Sequence, residues 1–373
     1  MARYELETLE ISGSPLEMGL QQGRHFGARL GQFVDMRFEA ARTYLADHGG
    51  FTLEGLLGAG ERCYEVLQRW HPNAVVEHEA MASEAGVDAI RLFTAANMTD
   101  IRDVLLLSGD GPGAAPPADS EGCTAVLVTD DHARDGCTLV GQTWDLNIGD
   151  LDYVVAIHRR PDNRPEAWTV TVAGAPSLMG MNAAGIAIGT TNIKTWRSRP
   201  GVGYLNILHR MLGCSSRAEA ARVVETAPRS GAHTYWIADA SGFVEYEATP
   251  YSVTTRDGSA GPLCRTNHCL HEPNQILEGE APSPSSYARL ERVQSWLSHG
   301  NQDVESLQRL FADRSDGIES INRLPEDDQG TATNAVLIAI PERLELWACR
   351  GPSNRGEWRH LPFRIGGERG TIG

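Results

Sequence analysis

The chain has 373 residues, of which 41% are hydrophobic, and sets 33 lysines and arginines against 49 aspartates and glutamates for a formal charge of −16. That is enough apolar material for one large domain or two ordinary ones, and the acidic balance argues against nucleic acid as a main partner, because phosphate binding needs a basic face, while leaving room for a local basic pocket. No apolar run reaches the roughly twenty residues of a membrane span, the N-terminus lacks a signal core, and the seven cysteines are odd in number and scattered, so a cytoplasmic protein with reduced thiols is expected.

Residues 1–107 read as a helical segment. Ser14, Pro15 and Glu17 spell a helix start: a cap, a proline at the first helical position and the partner of a capping box. The helix expected there carries Gly19, Gly23, Gly27 and Gly31. A glycine every fourth residue lowers helix propensity and predicts close packing against another backbone. Further helices are expected near 53–70, 73–86 and 89–107. Residues 108–122, "SGDGPGAAPPADSEG", are rich in Gly, Pro, Ser and Asp without periodicity and read as a linker.

From residue 123 to 373 the pattern is β-rich. "TAVLVTD" and "CTLVGQTWD" are expected as strands joined by the tight turn "DDHARDG"; "YVVAIHRR", "AWTVTVAG" and "MGMNAAGIAIGTTN" continue the series. Helices are expected at about 203–213 and 215–226. A hairpin follows at 233–249, then the strand "YSVTTR", an amphipathic helix near 285–299, and a last hairpin at 332–349 with Pro341 at its turn. A helical front and a β-rich body imply an α+β layered protein.

The tripeptide Gly-Cys-Thr occurs twice, at 122–124 and 136–138. A lone cysteine is usually a small buried apolar residue. Cys123 differs by position, since it joins a loop to the first strand of the body. A cut before it would leave an N-terminal cysteine whose own α-amino group, with an ordinary pKa of about 8, could serve as base for the thiol. The thiol could make that cut itself by attacking the carbonyl of Gly122, a residue that tolerates strained backbone. A cut before Cys137 would sever a turn between paired strands, and its preceding Asp-Gly is explained as turn chemistry.

"EGCTAVLV", "GQTWD" (141–145), "GMNAAGIAI" (180–188) and "RTNHC" (265–269), with the opening "SGSPLEMGLQQG", resemble the isopenicillin N acyltransferase family in content and order over about residues 10–350. The resemblance implies an N-terminal-nucleophile hydrolase with an αββα four-layer sandwich, made as a precursor that cleaves itself between Gly122 and Cys123. It implies Cys123 as nucleophile, Asp145 as the acidic residue of processing and catalysis, Asn267 as oxyanion-hole donor and Arg323 as an active-site arginine. Residues 1–122 and 123–373 would remain together as two subunits. Substrates would be small amides, amines or acyl thioesters; no resident cofactor is implied, with acyl-CoA as a possible co-substrate. Thr143 and Glu121 depart from the family's usual Asn and Asp, and residues 189–200 differ from the penicillin-forming enzyme, which argues against β-lactam chemistry.

Two rival readings stand beside this one. Cys264, His268, Cys269 and His271 supply zinc-type ligands, though at a spacing unlike common structural zinc sites. An unprocessed family member could also act only as a small-molecule or metal-binding protein.

Overall fold

The computed structural model describes residues 3–47, 51–111, 122–279 and 281–364. The front of the chain begins with a strand that the helical reading did not anticipate. In order it contains β1 (Glu7–Gly13), α1 (Pro15–Phe26), α2 (Ala28–Asp47), α3 (Leu53–Trp70), α4 (Pro72–Ala85), α5 (Ala89–Ala96) and α6 (Met98–Leu106). The Ser14–Glu17 capping box forms as expected. The single glycine-striped helix does not: Gly27 adopts φ +49° and separates α1 from α2. Only part of the stripe makes close contact. A Cβ on Gly19 would lie 2.2 Å from the carbonyl oxygen of Glu77, and one on Gly23 2.6 Å from that of Met81, both on α4, whereas Gly31 faces open space. The helix expected over 89–107 is likewise two, divided at Asn97.

The body contains β2 (Gly122–Val128), β3 (Leu139–Asn147), β4 (Val154–Pro161), β5 (Ala167–Val172), β6 (Met179–Asn182), β7 (Ala187–Asn192), α7 (Tyr204–Leu212) and α8 (Arg217–Thr226). It continues with β8 (His233–Asp239), β9 (Gly242–Ala248), β10 (Val253–Asp257), β11 (Leu263–Arg265), α9 (Glu272–Gln275) and α10 (Pro284–Leu297). It ends with α11 (Val304–Phe311), β12 (Thr331–Ile340), β13 (Glu345–Arg350) and β14 (Arg359–His360). Of the linker, residues 112–121 lie outside the described residues.

The strands form two sheets, ordered β1-β4-β5-β6-β7-β8-β9-β10 and β11-β2-β3-β12-β13-β14. All neighbours are antiparallel except β1 and β4, which run parallel. The sheets meet face to face through β2 and β7; α1, α7 and α8 pack on the larger sheet, and α10 and α11 on the smaller. The result is the four-layer αββα sandwich.

Strand β2 sits in the middle of this stack, which is why it reads as a continuous apolar run. Its period-2 geometry sends Cys123, Ala125 and Leu127 into the main core and Val126 and Val128 into the second core beneath α10 and α11. The thiol of Cys123 therefore points into the sandwich. The β2–β3 connection, residues 129–138, is longer than the tight turn expected, with Gly136 at φ +66°. Cys137 ends that loop, its Sγ 3.6 Å from the carbonyl oxygen of Asp135.

Candidate active site

Strand pairing brings the sequence-predicted residues together. Strand β11 runs antiparallel beside β2, with Arg265 opposite Ala125, so the chain leaving β11 delivers Asn267 to Cys123. The backbone N–H of Cys123 donates to Asn267 Oδ1 at 2.8 Å, and Arg289 Nη2 donates to the same oxygen at 2.9 Å. Asn267 Nδ2 donates to the Asn192 carbonyl at 2.9 Å. Two donors at one end of the amide and an acceptor at the other fix its orientation. In the continuous chain, then, Asn267 presents its oxygen to the nitrogen of Cys123.

On the opposite side, β2 pairs with β3 so that Gly122 faces Asp145, and β12 sets Thr333 beside Asp145 across a register irregularity at residue 334. Thr333 Oγ1 donates to Asp145 Oδ1 at 2.7 Å, and Arg323 Nε lies 3.8 Å from Asp145 Oδ2. Arg323 is anchored by its backbone N–H to Thr333 Oγ1 (2.9 Å) and by Nη2 to Ser285 Oγ (2.8 Å). Burial raises the pKa of Asp145, and the neighbouring Arg323 and Arg289 oppose that rise. A Cβ on Gly122 would lie 2.9 Å from Arg323 Cζ and 3.0 Å from Asp145 Oδ2. Gly122 is an ordinary strand residue without positive φ. The structure thus corrects the reason for glycine: what is needed is room for the ion pair, not backbone strain.

Arg289 was missed in the sequence. Its guanidinium donates to the Cys123 carbonyl, to Thr124 Oγ1 (3.0 Å), to Asn267 Oδ1 and, through Nε, to Ser285 Oγ (3.1 Å). Burial and the adjacent Arg323 lower its pKa to about 10, which leaves it charged at neutral pH. A sequence signal existed. Ser285, Arg289, Val293 and Leu297 form the buried i, i+4 stripe of α10, and an arginine in an apolar stripe demands buried acceptors.

The Cys123 thiol is buried, and its pKa is pushed up to about 12, first by burial and then by the charge of Asp145. The backbone N–H groups of Asp145 and Asn192 and the Arg289 charge act in the opposite direction. A thiolate formed here would therefore have donors waiting. Cys123 borders a pocket lined by Trp144, Leu178, Asn192, Tyr204 and His233 among others. The arrangement grips Cys123 by the nitrogen of the Gly122–Cys123 peptide and by the carbonyl of the next one, and sets Gly122 against a carboxylate–guanidinium pair beside the thiol. A thiol, a nearby carboxylate and buried cations are among the parts that attack on a carbonyl uses.

The possible zinc ligands diverge. Cys264 lies in the second core and Cys269 in a separate small cluster, while His268 Nδ1 meets Ser286 Oγ at 2.7 Å. Among the described residues no three His, Cys, Asp or Glu side chains are placed to hold a metal ion.

Residues 132–354 match the family model described as acyl-coenzyme A:6-aminopenicillanic acid acyl-transferase. The chain is 26% identical over 205 residues to the 40 kDa form of acyl-coenzyme A:6-aminopenicillanic-acid-acyltransferase of Emericella nidulans, a match spanning 52% of this chain and 57% of that relative's length. Among solved structures it is similar to the C2A mutant of conjugated bile acid hydrolase from Clostridium perfringens. That likeness has a TM-score of 0.43 at 12% identity and covers 65% of this chain and 97% of that one. It is similar also to penicillin V acylase from Agrobacterium tumefaciens, with a TM-score of 0.42 at 15% identity, covering 61% of this chain and 83% of that one.

Proposed function

Since the chain belongs to the acyl-coenzyme A:6-aminopenicillanic acid acyl-transferase family, whose chemistry is acyl transfer, we propose that it is a self-processing cysteine amidohydrolase or N-acyltransferase acting on small amides or acyl thioesters. In the processing step the Cys123 thiol gives up its proton, with Asp145 as the nearby carboxylate able to receive it, and Sγ attacks the carbonyl carbon of Gly122. Asp145 passes that proton to the nitrogen as the Gly122–Cys123 C–N bond breaks and the nitrogen leaves as the new α-amino group; water then hydrolyses the thioester, freeing the Gly122 carboxyl group and restoring the thiol. In turnover the α-amino group takes the thiol proton, Sγ attacks the substrate carbonyl, and the proton passes to the departing amine or thiolate. The acyl group then moves from Sγ to water or to an amine, returning the thiol.

The observation that carries this reading is the holding of Cys123 through the nitrogen of the Gly122–Cys123 peptide and the carbonyl of the next one, with Gly122 wedged behind it. Asn267 and Arg289 grip the nitrogen and carbonyl of Cys123, and Gly122 lies against the Asp145–Arg323 pair without room for a side chain. After cleavage the same Asn267 oxygen would accept from the α-amino group, which orients the base of the reaction. The residues of the clamp also explain why Cys123 and not Cys137 is chosen.

The test is the denatured intact mass of the purified protein beside Cys123→Ala. Two polypeptides, 1–122 and 123–373, in the wild type and one in the variant are expected. A single full-length species in both would overturn the proposal and favour an unprocessed binding protein.

A further inference from the structure

The pocket beside Cys123 contains a histidine that the proposed chemistry does not use. His233, the first residue of β8, is 1% exposed and lines that pocket. Its ring stacks on Tyr204, centroids 4.3 Å apart and planes 25° from parallel. Neither ring nitrogen makes a hydrogen bond. Asp100 Oδ1 is 3.3 Å from Nε2, close enough to orient the ring but off the hydrogen-bond axis.

Asp100 is itself buried. It accepts from Ser230 Oγ (2.8 Å) and from the Tyr204 N–H (3.0 Å), and among the described residues His233 is its only partner within ion-pair distance that can carry positive charge. Buried ring nitrogens in folded proteins are almost always paired. Here helix α6, helix α7 and strand β8 enclose the ring, and the pocket is the side from which a partner can enter.

We propose that His233 reads the nitrogen of the substrate. The proposal rests on the acyl-enzyme reading above and adds to it the residue that recognises the substrate's nitrogen. With the proton on Nε2, the nitrogen nearer Asp100, Nδ1 is left as an unpaired acceptor in a ring that lines the pocket. It would take the N–H of a scissile amide, or of an attacking amine during acyl transfer. A carboxylate at that position would meet Asp100 as well, so the site favours N–H donors over anions. His233 is therefore the residue by which this pocket separates amides and amines from esters. Esters of the same shape lack the donor and leave the ring nitrogen unpaired.

The experiment compares matched probes that differ only in that N–H: the 4-nitroanilide and the 4-nitrophenyl ester of the same acyl group, with acetyl and phenylacetyl chains. They are assayed on the processed wild type, His233→Leu, His233→Gln and Asp100→Asn. The ratio of kcat/KM for anilide over ester should fall by about 10- to 100-fold in His233→Leu, the usual cost of losing a specific polar contact in a buried site. His233→Gln, which keeps an acceptor, should recover part of it. An unchanged ratio in His233→Leu overturns the proposal. If that variant does not fold, the same ratio in His233→Gln and Asp100→Asn decides, and parallel losses on both probes overturn it. A wild type that turns over neither probe fails at the earlier step, and removes the acyl-enzyme reading together with this one.

Discussion

At the scale of single residues, the site is a set of buried charges that depend on one another. Arg289 serves the carbonyl of Cys123, the hydroxyl of Thr124 and the oxygen of Asn267 at once. Lysine keeps the charge but cannot fork. Arg289→Lys should therefore slow self-cleavage at least tenfold, read as the fraction of uncut chain on a denaturing gel, while Arg292→Lys, whose partners are the half-buried Asp313 and the exposed Asp316, should cleave normally. Thr333→Val removes the hydroxyl that donates to Asp145 Oδ1 and accepts from the Arg323 N–H. It should destabilise the fold by about 1–3 kcal/mol, the cost of unpaired buried polar groups, measurable by urea denaturation. Thiol chemistry offers a further check. In a chain kept uncut by Asp145→Asn, Cys123 should resist iodoacetamide at pH 8, because burial holds the thiol protonated far above neutrality; prompt alkylation there would contradict the buried, protonated state.

How much of this was legible in the sequence follows from which interactions are local. Cys123, Asp145, Asn267 and Arg323 were marked by motif resemblance, and the structure places all four around one peptide bond. Arg289 was announced as a buried charge only by its place in the apolar stripe of α10, which does not say what its partners are, and nothing around Thr333 along the chain points to a partner more than 150 residues away. Asn192 escaped for the same reason: its role at the site is played by its backbone.

At the scale of elements, helix boundaries and strand pairs were read well where periodicity is strong, and poorly where one residue changes the outcome. The helix expected near 53–70 runs over Leu53–Trp70, and the 332–349 hairpin turns at Pro341. The long glycine-striped helix breaks because Gly27 takes a conformation its neighbours could not. Strand β1 was missed because "ETLEISG" alternates only weakly and pairs with a partner about 150 residues downstream. The glycine stripe yields a paired prediction. Gly19→Ala would drive a methyl group into the backbone of α4 and should cost about 2 kcal/mol or more, in the range of overpacked cores. Gly31→Ala meets nothing and should stabilise α2 by about 0.5–1 kcal/mol. Thermal denaturation of the two variants should therefore move Tm in opposite directions.

At the scale of the whole molecule, the proposed cut divides the chain without dividing the fold. Strand β1 belongs to residues 1–122, yet it pairs in parallel with β4 along seven residues and closes an edge of the eight-stranded sheet. Helices α5 and α6 bury their apolar faces in the main core that the body completes. The two pieces should co-elute in gel filtration and separate only in denaturant; dissociation in plain buffer would contradict this. A second whole-molecule expectation concerns acid. Glu247, despite its burial, is held below the usual carboxylate range by Arg265 and by Asn274. A lowered native pKa contributes stability that is full above about pH 4.5 and is lost as pH falls through the native value. Arg265→Met should therefore flatten the fall of Tm as pH drops below about 4.5.

The clamp around Gly122 and Cys123 is gathered from residues 145, 267, 289, 323 and 333, so it exists only after nearly the whole chain has been made and has found its register. A ribosome-bound chain still lacking β12 would own the nucleophile and the bond but not the frame that joins them. Scission would thus mark the moment at which synthesis and folding are both finished, and a thiol that could attack amides would stay silent in every immature copy.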